Sequence, residues 1–187
     1  MYIGQDIPVL GNWFLISFVE NPGMAFGIIP GNRLLLMLFR IVLICFIIVL
    51  ITKAIKQNYN TGFIVCFSLI LAGGLGNMID NVFYGMIFEE STPWHVASFV
   101  PWGQGYASLF QGNVVDMFFF PLIRTTYPEW FPWVGGNDFV FFRYIFNVAD
   151  SAITIGLASL LIFYWDTPIY SLFSKKEREK LEQQTAE

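Results

Sequence analysis

Charge is scarce in this sequence, and so are residues that cross-link a chain or hold a metal. Only 13% of the 187 residues are Asp, Glu, Lys or Arg, two are Cys and one is His. Cys45 and Cys66 each stand inside an apolar run rather than in a C-x-x-C pair, which excludes a disulfide framework and predicts two reduced, buried thiols. A lone His95 with no cysteine near it offers no ligand set for a metal. The formal charge is -4 and no block of bases is interleaved with aromatics, so nucleic acid is not a partner.

Apolar bulk is what the chain has instead. Hydrophobic residues make up 56%, 21 residues are Phe and the mean hydropathy is +0.58, beyond what a soluble domain ordinarily carries. A hydrocarbon core about 30 Å thick takes roughly 20 apolar residues in a helix, and residues 34–53, 62–80 and 139–165 each supply such a stretch. The fold class predicted is a membrane all-α protein with three transmembrane helices and a small β element. That β element is "WFLISFVENPGMAFGII", which alternates and breaks at Asn-Pro-Gly, so Pro22-Gly23 makes the turn of a short hairpin.

Lys53, Lys56, Lys175, Lys176, Arg178 and Lys180 share one side of this topology, and the positive-inside rule makes that side the cytoplasm. One integral domain follows, with an outer β segment at 1–33, outer loops over 81–138 and a cytoplasmic tail at 166–187. Residues 87–111 and 122–138 are rich in Trp, Pro, Gly and Phe, as interfacial loops are, and Glu89, Glu90 and His95 read as solvated groups within them. "GGLG" in the second span reads as a small-residue packing face.

Acids need an explanation in such a chain. Asp150, in "FNVADSAITIG", is predicted to sit roughly 16 Å into the third span. An isolated Asp at mid-bilayer costs on the order of 2.5–3.5 kcal/mol, so it must face a polar cavity or a partner. Asn147 and Thr154 share its helical face. The Asn-x-x-Asp spacing recurs in "GNMID", 76–80, and "GNVVD", 112–116, which gathers Asp80, Asp116 and Asp150 at one membrane face. Two carboxylates held close in low dielectric cannot both ionise, and such a pair works as base and acid on one water. Spacing alone does not choose the pair. Intramembrane acids equally serve proton relays or partner binding in a non-enzymatic transporter or assembly factor.

The blocks "ENPGMAFGI" (20–28), "GGLGNMIDNVFYG" (73–85), "GNVVDMF" (112–118) and "FNVADSAITIG" (146–156) resemble, in order, the signature blocks of lipoprotein signal peptidase, the bacterial type II signal peptidase. The resemblance implies an intramembrane aspartic endopeptidase, multi-pass in the bacterial inner membrane, with its active site at the periplasmic face. It implies removal of the signal peptide from prolipoproteins whose cysteine carries a diacylglyceryl group. Metal and cofactor are not needed, the partners are the lipid-modified prolipoprotein and membrane lipids, and the protein acts as a monomer.

Carried over block by block, the catalytic dyad falls on Asp116 and Asp150, while Asp80 becomes a structural acid. Asn21, Gly23, Asn77 and Asn147 take substrate-binding or support roles. The chain departs from the family in two ways that bear on the site. The family opens with a further span, so this sequence is expected to begin inside a longer protein. Asn81 stands where the family places arginine after the acid, which leaves Arg40 or Arg143 to supply the missing cation.

Overall fold

The computed structural model describes residues 1–22, 33–167 and 169–173. The elements run β1 (Asp6–Leu10), β2 (Phe14–Asn21), α1 (Arg33–Lys56), α2 (Thr61–Ile87), β3 (Val114–Phe119), β4 (Ile123–Thr126), β5 (Asp138–Phe141), β6 (Ile145–Phe146) and α3 (Val148–Phe163), followed by a 3-10 turn at Ile169–Phe173. They group into two compact units. One holds the described residues of 1–34 and 79–147, the other those of 35–78 and from 148 on.

The first unit is built on an antiparallel sheet in the order β1-β2-β3-β6, with β4 and β5 as a separate ribbon. Gly11, at φ +54, lets the chain reverse between β1 and β2, because only glycine enters that region without a Cβ penalty. The turn expected at Pro22-Gly23, further along the chain, falls with Gly23 outside the described residues. Val19 pairs with Asp116 and Asn21 with Val114 across β2 and β3. The two-residue period of a strand puts Val114 and Asp116 on one face, and both are buried. Phe14, Phe118, Phe120 and Phe146 stack over this sheet. Residues 87–111 form a loop tied back on α2, with Ala107 N donating to Gly85 O and Gly103 N to Met86 O.

In the second unit, Met37, Ile44, Ile47, Leu50 and Ala54 form the buried stripe of α1, while Phe39, Val42, Phe46 and Val49 are exposed, as lipid-facing residues are. Lipid tails are as apolar as leucine, so close packing rather than the hydrophobic effect holds such helices together. Glycine provides it: a Cβ on Gly73 would stand 2.3 Å from Ala149 O, and one on Gly156 2.7 Å from Cys66 O. The "GGLG" segment is thus where α2 receives α3.

Leu35–Lys56 and Thr61–Ile87 are long and apolar enough to cross a membrane. The expectation of three transmembrane helices fails at the third. Its apolar run divides, because the aromatic and β-branched residues at its start suit strands and are taken up by β5 and β6. Asn147, a residue type favoured just before a helix, then precedes α3, which has 16 residues, or about 24 Å of rise. Asp150 accordingly lies in the first turn of α3 rather than deep in a span. An all-α protein with one small β element also understates the strands, which form a four-stranded sheet and a two-stranded ribbon.

Candidate active site

Asp116 is brought to the inner face of β3 and is only 5% exposed. Asn21, at the end of β2, donates from Nδ2 to Asp116 Oδ2 at 3.2 Å, and Asn147 donates from Nδ2 to Oδ1 at 2.8 Å. Both carboxylate oxygens thus receive an amide N–H, which meets the rule that buried polar atoms be paired. Asn147 is as buried as the acid and also reaches Val115 O at 3.3 Å.

The last turns of α2 hold β3 from behind. The Asp80 carboxylate accepts hydrogen bonds from the Val115 N–H and the Tyr84 hydroxyl. Asn81 donates from Nδ2 to Gly112 O at 2.9 Å, and Gly112 N returns a bond to Asn81 O at 2.9 Å. Only glycine fits at 112, since a Cβ there would stand 2.6 Å from Asp80 O. Asn113 donates from Nδ2 to Glu20 Oε2 at 2.8 Å, and its own N–H bonds the Tyr106 hydroxyl at 2.7 Å. Asn113, Glu20 and Tyr106 were not among the residues singled out from sequence, whereas Asn81 was noted there only as standing in an arginine's place. Glu20 opens the first signature block and Asn113 is the middle asparagine of the repeated spacing, which is the signal that would have found those two; Tyr106 had none.

Asp150 belongs to the second unit. It is partly buried, and Asn77 donates from Nδ2 to its Oδ1 at 2.8 Å. Ala149, the residue before it, packs on Gly73 and Gly76 of α2, so the small-residue face sets where the first turn of α3 lies.

The structure therefore brings Asn21, Asp116, Asn147 and Asp80 together in one unit, and Asn77 and Asp150 in the other. The amides serve acids outside their own blocks: Asn77 bonds Asp150 rather than being reserved for Asp80, and Asn147 bonds Asp116. Among the described residues, no three His, Cys, Asp or Glu side chains gather as a metal site.

A family profile described as "Signal peptidase (SPase) II" matches residues 1–166. A lipoprotein signal peptidase of Porphyromonas gingivalis is 51% identical over 177 residues, which cover 94% of this chain and 77% of that protein. The chain belongs to the signal peptidase II family. Another relative, the lipoprotein signal peptidase of Amoebophilus asiaticus, is 37% identical over 164 residues, 86% of this chain and 64% of its own length. A bacterial membrane enzyme solved by the in meso method at 2.3 Å resolution matches with a TM-score of 0.55 and 25% identity, over 89% of this chain and 74% of that one. As a signal peptidase II, the chain is an intramembrane aspartic endopeptidase that removes signal peptides from lipoproteins, multi-pass in the inner membrane. Family membership removes the reading as a transporter or assembly factor.

Proposed function

We propose that Asp116 and Asp150 are the catalytic dyad of this signal peptidase, acting at the periplasmic face on prolipoproteins whose cysteine carries a diacylglyceryl group. The observation that supports the pairing best is the amide setting of the two acids. Asp116 is served by Asn21 and Asn147, and Asp150 by Asn77, each an asparagine of a signature block. Asp80 differs: it is tied to the backbone of β3 and to Tyr84, which suits a support role.

In the reaction, one carboxylate takes a proton from water as the water oxygen bonds to the scissile carbonyl carbon, while the other acid, protonated, gives its proton toward the carbonyl oxygen. The tetrahedral intermediate then collapses, the C–N bond breaks and the amine leaves with the proton that came from water. The intermediate's hydroxyl returns a proton to the second acid, and no covalent acyl-enzyme forms. Asn21, Asn77 and Asn147 orient the acids, and Gly23 is proposed to have a substrate-binding or support role. The same reading treats residues 1–187 as one peptidase domain acting as a monomer, with 81–138 outside and the tail after 166 in the cytoplasm.

The substrate assignment is tested with the purified full chain and one prolipoprotein prepared with and without the diacylglyceryl group. Release of the signal peptide from the lipidated form alone is expected. Equal cleavage of both forms, or of neither, overturns the assignment.

A further inference from the structure

We propose that the cavity between the β4-β5 ribbon and the main sheet binds the headgroup of a zwitterionic phospholipid of the phosphatidylethanolamine class, with its phosphate on Arg124 and its ammonium on Asp138 and Asp6. The site stands independently of the dyad reading above.

The cavity has a volume of about 620 Å³ and lies within the first unit. Asp6 enters it from β1, Phe119 from the end of β3, and Arg124, Thr126, Asp138 and Val140 from the ribbon. Register brings the last four together. Arg124 pairs with Val140 and Thr126 with Asp138, and the two-residue period of a strand puts both pairs on one face of the ribbon. Phe119 is three residues from Asp116 on β3, so the same alternation turns it to the other face of that strand. The cavity is thus separate from the Asp116 carboxylate.

Three charged side chains line this cavity and are left for a ligand. The Arg124 guanidinium lies 5.8 Å from the centroid of the Phe119 ring, a cation–π distance that steadies the group without using its N–H donors. Those donors form the planar fork that grips a phosphate through two oxygens. Asp6 accepts a hydrogen bond from the hydroxyl of buried Ser17 at one carboxylate oxygen, which leaves the other for a donor in the cavity. Among the described residues the ion pair present is that of His95 with Glu89, so Arg124, Asp6 and Asp138 do not neutralise one another.

One cation and two acids in a single cavity suit a ligand that carries both signs. A phosphate alone would be held by Arg124 and repelled by the acids, and an amine alone would leave Arg124 unmatched. The order along the ribbon selects a lipid. At its base Leu122, Ile123, Phe141 and Phe142 are exposed; Arg124 stands at the next level, and Asp138 two residues further on, about 7 Å away along the strand. Acyl chain, phosphate and amine follow one another in the same order in the lipid. Such lipid is at hand, because this unit includes the last turns of α2. That helix has 27 residues and is apolar enough to cross a membrane, and its rise of about 40 Å carries its ends into the headgroup layer.

The test is native mass spectrometry of the full chain released from detergent micelles, with dioleoyl phosphatidylethanolamine, dioleoyl phosphatidylglycerol and soluble phosphoethanolamine as probes. Melting temperature checks folding. The parent should bind the ethanolamine lipid about tenfold more tightly than the glycerol lipid, whose headgroup has no amine. Arg124→Gln should lower affinity for the ethanolamine lipid about tenfold, and Asp138→Asn should cut the preference between the two lipids to about threefold or less. Equal affinity for both lipids in the parent, or unchanged affinity in Arg124→Gln, overturns the proposal. If Arg124→Gln does not fold, Asp138→Asn decides, and a preference kept at the parental level overturns it. Displacement of the lipid by an equal concentration of phosphoethanolamine overturns the lipid source. Displacement by a soluble peptide from the mature segment of a prolipoprotein overturns it in favour of a peptide subsite.

Discussion

At the scale of single residues, the chemistry depends on three asparagines whose partners lie outside their own sequence blocks. The Asn-x-x-Asp spacing made Asn77, Asn147 and the acids legible in so apolar a chain, and the resemblance to the family's blocks added Asn21. Their pairing was not, because Asn147 reaching Asp116 depends on β6 lying beside β3 in the sheet. A hydrogen bond to a charged group contributes about 1.5–3 kcal/mol. Asn147→Ala and Asn77→Ala should therefore each lower kcat by roughly 10- to 150-fold, read in a cleavage assay on folded protein. A rate within twofold of the parent would show that the amide does not serve its acid in the reaction. Asn81→Ala acts differently, since it removes a bond to Gly112 and should lower the melting temperature more than the specific activity.

Whole elements show where apolar length misleads. The stretch 139–165 has enough hydrophobic residues for a span, yet its first part is bound into strands and the helix is short. Length and hydropathy do not distinguish an aromatic edge strand from the start of a helix, whereas α1 was readable almost to its ends and α2 at its start, α2 continuing past the expected end at 80 to Ile87. The contact between α2 and α3 can be tested at neighbouring glycines. A Cβ on Gly73 would meet Ala149 O at 2.3 Å, whereas one on Gly74 meets only Ile44 Cγ1 at 3.7 Å. Gly73→Ala should cost about 1–3 kcal/mol of stability through overpacking and lower kcat by displacing Asp150, while Gly74→Ala stays near the parent in both. Equal effects in thermal melting and cleavage would contradict the packing described here.

The loop of residues 87–111 carries a second, milder element-scale prediction. A hydrogen bond from His95, at 3.0 Å, together with one from Ser98 N–H, holds the Glu89 carboxyl below its ordinary value of 4.5. A depressed carboxylate lends its support above its unfolded value and loses it as pH falls through the lowered folded value. The protection of the amides at 89–98, measured against their intrinsic exchange at each pH, should therefore fall as the pH is taken below 4.5, and His95→Ala should be less protected already at neutral pH. Unchanged protection across that range would remove the clasp from the account.

For the molecule as a whole, two compact units each contribute an acid of the proposed dyad, and the acid nearest in sequence to the small-residue packing face, Asp80, is engaged by Val115 and Tyr84. Four short blocks in family order carried the identity of the peptidase, because the residues that perform chemistry are tightly specified by that chemistry. The sheet joining β2, β3 and β6 was not legible, because its pairings link strands far apart in sequence and leave no local pattern beyond alternation. The central claim is that Asp116 and Asp150, and not Asp80, perform the cleavage. The most direct measurement compares Asp80→Asn, Asp116→Asn and Asp150→Asn in one assay of lipidated prolipoprotein cleavage, each normalised to folded protein. The account predicts that Asp116→Asn and Asp150→Asn lose roughly 10³-fold in rate with native melting, while Asp80→Asn melts earlier and cleaves within about tenfold of the parent. Cleavage retained by either of the first two, or abolished in a fully folded Asp80→Asn, would contradict it.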